Sequence, residues 1–194
     1  MKSILDLPLL EVDKQLWRYE GNDSYRYILE YCDKKPLFCE KQKVFYNDNS
    51  LVCIGANSST AIPGSLDPTL KTIKKVAKEN GYDGFIMLNL SPIRATNPNN
   101  LPLKQKDEMY WENIEWIEGI LKNYRDVYCA WGNLIEKRPY MNIFKDFNIP
   151  DNINWLCRGA ISKKGHPHHP LYVKDNTPLL PFPMKDYLKQ MRGE

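Results

Sequence analysis

The sequence predicts an α/β fold, a three-layer sandwich whose central, mostly parallel sheet of about four or five strands carries helices on both faces. Three observations carry this expectation. Short apolar runs suited to buried strands alternate with amphipathic helical stretches. Their order, strand, helix, strand, helix, strand, helix, strand, is that of right-handed crossovers. The chain, 194 residues with 42% hydrophobic side chains, is long enough for a single core that buries roughly two-thirds of the unfolded surface.

Taken in order, residues 1–24 read as an N-terminal arm or short helix ahead of one α/β domain over 25–194. "YRYILEYC" (residues 25–32) alternates with a period of two and predicts a strand. "NSLVCIGAN" is a continuous apolar run ending near a glycine, as a buried central strand is. A helix follows, with Asp67 as N-cap, Pro68 at the first helical position, an apolar face of Leu70, Ile73, Val76 and Ala77, and Gly81 as the stop. "DGFIMLNL" is a second buried strand, and "SPIRATNPNNLPLKQ" a polar loop. A second helix spans about 107–123, with Trp111, Ile114, Ile117 and Leu121 inward and acidic residues in its first turn. "RDVYCAWGN" is again a strand, Pro139 opens a short helix to about residue 147, and "NINWLCRG" is the last strand.

Composition bounds the function more loosely. Twenty-seven basic against 24 acidic residues give a net charge of +3, a mixed surface that neither requires nor excludes nucleic acid. No apolar run approaches the roughly 20 residues of a membrane-spanning helix, and the first residues are too quickly charged for a signal peptide, so a cytoplasmic protein without a membrane partner is expected. The five cysteines lack any C-x-x-C pair and read as reduced core residues. Neither metal nor cofactor is expected.

In a parallel sheet, ligands bind beyond the carboxyl ends of the strands. The segments there are "GANSSTA", "NLSPIRATNPNNLP", "WGN" and "SKKGHPHHPLY". In the first, Gly55 permits a sharp turn, and Asn57, Ser58, Ser59 and Thr60 bring donors and acceptors either to a ligand or to their own backbone. It matches neither a Walker loop nor a G-x-G-x-x-G fingerprint. Asn89 ends a strand and can present its amide to a base edge or a water. Arg94 either holds a phosphate or carboxylate or makes a structural ion pair. All three histidines stand within 166–169. The H-x-H-H spacing is not that of a helical zinc pair. His169, held extended before Pro170, is best placed to donate to an anion developing on a ligand, and His166 and His168 read as solvent-exposed. Asn133, His168, Tyr172 and Asp67 join the ligand-binding set, with Asn57 and His169 as the catalytic candidates.

The run "CIGANSSTA" through "DPTLKTIKKVAKENGYDGFIMLNLSPIRATNP", with the later "AWGN" and "KKGHPHHPLY", resembles the bacterial and phage domain-of-unknown-function family 1643 over about residues 25–173. Those motifs carry no activity with them. The same loop order is similar to that of the uracil-DNA glycosylase superfamily. That resemblance implies a uracil-DNA-glycosylase-like fold, with Asn57 positioning a hydrolytic water, Asn89 reading the base, and His169-Pro170 stabilising the departing base anion. The sequence departs from the pattern at Ser58, where proline is usual, at Asn57, where a carboxylate is common, and at Leu171, where serine is usual. Two readings follow. One is a hydrolase of an N-glycosidic bond in DNA or a nucleotide derivative. The other is a catalytically silent protein that senses or sequesters a nucleotide or nucleobase. Asp67 discriminates between them, since a carboxylate turned into the crevice favours the enzyme and a pure helix cap favours the binder. A third arrangement, in which the loops pack on each other and an oligomer interface forms the site, stays open.

Overall fold

The computed structural model describes residues 2–34, 37–39, 44–46, 49–104, 107–146 and 148–193. In chain order it contains β1 (Leu10–Val12), β2 (Gln15–Gly21), β3 (Arg26–Cys32), β4 (Leu37–Cys39), β5 (Val44–Tyr46), β6 (Ser50–Ser58), α1 (Pro68–Glu79), β7 (Gly84–Arg94), α2 (Glu108–Leu121), β8 (Asp126–Cys129), β9 (Asn154–Arg158), β10 (Leu179–Pro181) and α3 (Met184–Arg192). Eight strands form one sheet in the order β1-β2-β3-β7-β6-β8-β9-β10, and β4 with β5 makes a separate antiparallel pair.

The fold is mixed α/β, as expected, but the sheet is larger and less parallel than the sequence suggests. β7, β6, β8 and β9 run parallel to one another, whereas β1, β2 and β3 extend one edge and β10 the other by antiparallel pairing. Most neighbouring pairs are thus antiparallel. Two of the strands that the sequence did not announce, β1 and β2, lie where an arm was expected. β1 and β2 close a two-residue hairpin at Asp13 and Lys14, both with positive φ (51° and 62°). A turn of that kind normally announces itself through Asn-Gly or Asp-Gly, and Asp-Lys carries no such signal.

Period-two alternation sends side chains to two separate cores. Val52, Ile54, Ile86 and Leu88 face a cluster with Ile114, Ile117 and Leu121 of α2. Leu51, Cys53, Phe85 and Met87 face another with Leu70, Ile73, Val76 and Ala77 of α1. Helix α1 matches its sequence reading, including the Asp67 cap, whose Oδ1 accepts from the Leu70 N–H at 2.9 Å. In α2 the buried stripe is Tyr110, Ile114, Ile117 and Leu121, spaced 4, 3 and 4 residues apart. Trp111 sits about 100° round the helix from Tyr110 and is exposed, its ring edge-on to Tyr110. The expected helix from Pro139 resolves into the short 3-10 turns Pro139–Met141 and Ile143–Lys145, and another 3-10 turn, Gly132–Lys137, precedes them. The far end expected for that helix, residue 147, lies outside the described residues.

Cys32, Cys53, Cys129 and Cys157 are buried free thiols. The fifth cysteine's side chain lies outside the description. Among the described residues no helix is long and apolar enough to cross a membrane.

A candidate ligand cleft at the ends of β6 and β7

Both strands run further than their apolar cores. β6 continues through Asn57 and Ser58, and β7 through Arg94, with a register shift between Asn57 and Ser58 where Ser58 comes opposite Arg94. Residues expected in loops are therefore strand residues at a bulge, a device that re-aims side chains beside functional sites.

The bulge borders a cleft of about 240 Å³. Gly55 and Asn57 from β6, Asn89 from β7, Asp67 before α1, and His169 from the late loop all line it, with Arg26 from β3. Ser59 and Tyr172 are at its wall as well. Of the sequence-based candidates, Ser58, Thr60, Arg94, Asn133 and His168 lie outside this lining. Ser58 is fully buried behind it and acts through its neighbours. The Arg94 guanidinium is engaged elsewhere, donating to the Tyr19 hydroxyl at 2.9 Å and to the carbonyls of Asn22 at 3.0 Å and Thr60 at 2.7 Å. Asn133 and His168 border an adjoining cleft of about 320 Å³, which shares Pro98, Leu134, His169 and Tyr172 with the first.

Asn57 Nδ2 donates to the carbonyls of Ser58 and Ala95, both at 2.8 Å, which fixes the amide and leaves Oδ1 as an acceptor. Asn89 is completely buried. Its Nδ2 donates to Ser58 Oγ at 3.0 Å, and its Oδ1 has no partner among the described residues. Gly55 stands directly against it: a Cβ there would lie 2.8 Å from Asn89 Oδ1 and 2.5 Å from Met87 Cε. A side chain at position 55 would crowd that oxygen.

His169 is half-buried, and its Nδ1 accepts from the Leu171 N–H at 3.4 Å. In the neutral ring the proton therefore sits on Nε2, which is left as a donor. Burial holds the imidazole below its ordinary value, and the Asp67 carboxylate partly opposes this. The glycine of "WGN" makes room for it. Gly132 has φ of +59°, and a Cβ there would come within 3.1 Å of His169 Cβ. The glycine of that short motif thus packs closely against the histidine.

His166 is not a solvent-exposed passenger. Its ring is 2% exposed, with Nδ1 2.9 Å from the Tyr187 hydroxyl and Nε2 3.1 Å from Glu136 Oε1. The packing of α3 against the late loop creates this burial, which a stretch rich in proline, lysine and histidine does not announce. His168 is half-buried.

Arg26 is a charged lining residue that the sequence reading passed over. It sits in a strand buried at every position, so neither face is open to water, and a charge inside such a run is the signal that was available. Burial pulls its guanidinium down to about 10, with Asp67 opposing and Arg94 adding to the effect. Among the described residues no group of three or more His, Cys, Asp or Glu side chains is arranged to hold a metal.

The model of the family described as "Protein of unknown function (DUF1643)" matches residues 41–171. That stretch contains Gly55, Asn57, Asp67, Asn89 and His169, while Arg26 and Tyr172 fall outside it. No curated protein and no solved structure matches the chain.

Proposed function

We propose, proceeding from the fact that the chain belongs to DUF1643, a family of proteins of unknown function, that its cleft recognises a nucleobase or nucleotide. The observation that carries the reading is convergence: Asn57, Asn89 and His169, separated widely in sequence, line one cleft of about 240 Å³. That volume is below the roughly 300–1,000 Å³ of sites for drug-sized ligands, and the adjoining cleft of about 320 Å³ extends the space available to a ligand. Asn89 Oδ1 offers an acceptor to a ring or exocyclic N–H, Asn57 Oδ1 a second acceptor, and His169 Nε2–H a donor. The fold reading that accompanies this is a uracil-DNA-glycosylase-like sandwich, supported by the parallel run β7-β6-β8-β9 and by the order of the loops at its carboxyl edge.

Recognition without hydrolysis is favoured by Asn57, whose amide can orient a water but cannot take its proton. Asp67 meets both halves of its criterion, since it lines the cleft while its Oδ1 caps α1. The second reading, hydrolysis of an N-glycosidic bond in DNA or a nucleotide derivative, draws its support from the neutral His169 ring, whose Nε2–H is a suitable donor to a leaving base anion.

The test is a panel of free bases, nucleosides, nucleotides, ADP-ribose-like compounds and uracil-containing oligonucleotides, scored by thermal shift and product analysis for wild type, Asn89→Ala and His169→Ala. A ligand that stabilises wild type, loses its effect in Asn89→Ala and is recovered intact supports the binder. Release of base that disappears in His169→Ala establishes the hydrolase. No response to any compound overturns both readings.

A further inference from the structure

The nucleotide reading leaves unexplained why a guanidinium lies at the wall of so small a cleft. Arg26 is 2% exposed. Of its five N–H groups, the one hydrogen bond made among the described residues is from Nη1 to the Ala61 carbonyl, at 2.9 Å. Its Nε is fully buried and has no partner among the described residues. No ion pair joins it to Asp67, the carboxylate that also lines the cleft, and Arg94 adds a second positive charge within electrostatic reach. Arg94, half-buried and outside the cleft lining, adds to the positive potential at Arg26, and Asp67 opposes it. Burial of a cation at that level is expensive unless an anion completes it.

We propose that Arg26 is the anion-binding residue of the cleft and that the ligand is a free nucleotide, whose phosphate takes the guanidinium's unsatisfied donors. This rests on the nucleotide reading above and narrows it from base to phosphorylated nucleoside. The fork of a guanidinium matches two phosphate oxygens. The depth of Arg26 favours a small free molecule over a strand, because the backbone of a polymer lies along a surface. Arg94, the arginine that the sequence singled out for this task, has its guanidinium already bonded to three acceptors.

Calorimetric titration of the full chain decides it, with inorganic phosphate, a set of free bases, the matching nucleosides, their 5′-monophosphates and a short oligodeoxynucleotide as probes. Wild type is expected to bind a monophosphate roughly ten- to a hundredfold more tightly than its nucleoside, the worth of a charge-assisted pair. Arg26→Gln should erase that preference. If Arg26→Gln does not fold by circular dichroism, Arg26→Lys and competition by inorganic phosphate on wild type give the same answer: the lysine weakens the preference, and phosphate displaces the monophosphate. Bases and nucleosides that bind as tightly as monophosphates overturn the Arg26 proposal and leave base recognition standing. Phosphate that binds through Arg26 while no base or nucleoside does supports the anion site and overturns base recognition. An oligonucleotide that outcompetes the monophosphate, with the same dependence on Arg26, overturns the assignment to a free nucleotide.

Discussion

Asn89 Nδ2 lies 3.0 Å from Ser58 Oγ, and only one donor assignment satisfies the pair. The Ser58 hydroxyl spends its single proton on the Arg26 carbonyl at 2.9 Å, so it can only accept from Asn89. The amide is thereby held with nitrogen toward Ser58 and oxygen unpaired beside Gly55. Ser58→Ala is expected to free the amide and strand its buried N–H, lowering unfolding stability by about 1–3 kcal/mol. Urea denaturation measures the loss. A ligand panel run on the variant should show relaxed discrimination between N–H donors and acceptors on the base.

Gly55→Ala tests the close approach of the β6 backbone to that oxygen. Met87 Cε can swing away from the added methyl group, but Asn89 is tied to Ser58 and cannot follow. The variant is expected to fold, at a cost of about 1–3 kcal/mol for overpacking, and to lose measurable affinity for whatever base the wild type binds. Unchanged affinity removes Asn89 Oδ1 from the recognition surface.

The lowered titration of His169 has a pH signature. With the folded state resisting protonation, the unfolded chain takes up the proton first as the pH falls. Stability is then fully present above the ordinary imidazole value of about 6.5 and declines as the pH drops below it. His169→Gln is expected to flatten the slope of stability against pH between about 7 and 5 relative to wild type. Urea midpoints taken across that range for both proteins check it. A parallel slope in the two assigns the titration to other groups.

Behind the late loop, Trp131 Nε1–H donates to the Tyr187 hydroxyl at 3.0 Å, and His166 accepts from that hydroxyl at Nδ1 while its Nε2 faces Glu136. Every donor in this chain points the same way. His166→Ala is expected to leave the buried Tyr187 hydroxyl without its acceptor and to destabilise by about 1–3 kcal/mol. In a double-mutant cycle with Tyr187→Phe the two losses should sum to more than the double variant shows. Additive losses separate the two residues.

Much of the region from Gly55 to Tyr172 was legible in the chain because the signals there are local. Asp67-Pro68 with an apolar stripe suffices to place α1, and apolar runs suffice for β6 to β9. The right-handed crossover rule then puts Gly55, Asn57, Asn89 and His169 at one edge of the sheet. Trp111 shows the limit of such reading, since a shift of one residue turned an apparent core position to solvent.

What the sequence alone determined is therefore which residues can stand at the carboxyl edge, because helix caps, turn glycines and hydrophobic period are properties of neighbours in the chain. The tertiary structure decided the rest, because it depends on which segments meet. The β1–β2 hairpin turns on two residues without glycine, and its Trp17 is buried against Tyr31 of β3. His166 is buried only because α3 returns to it. Arg26 reaches the cleft because β3 pairs with β7, and its demand for an anion exists only once the sheet has excluded water from both its faces.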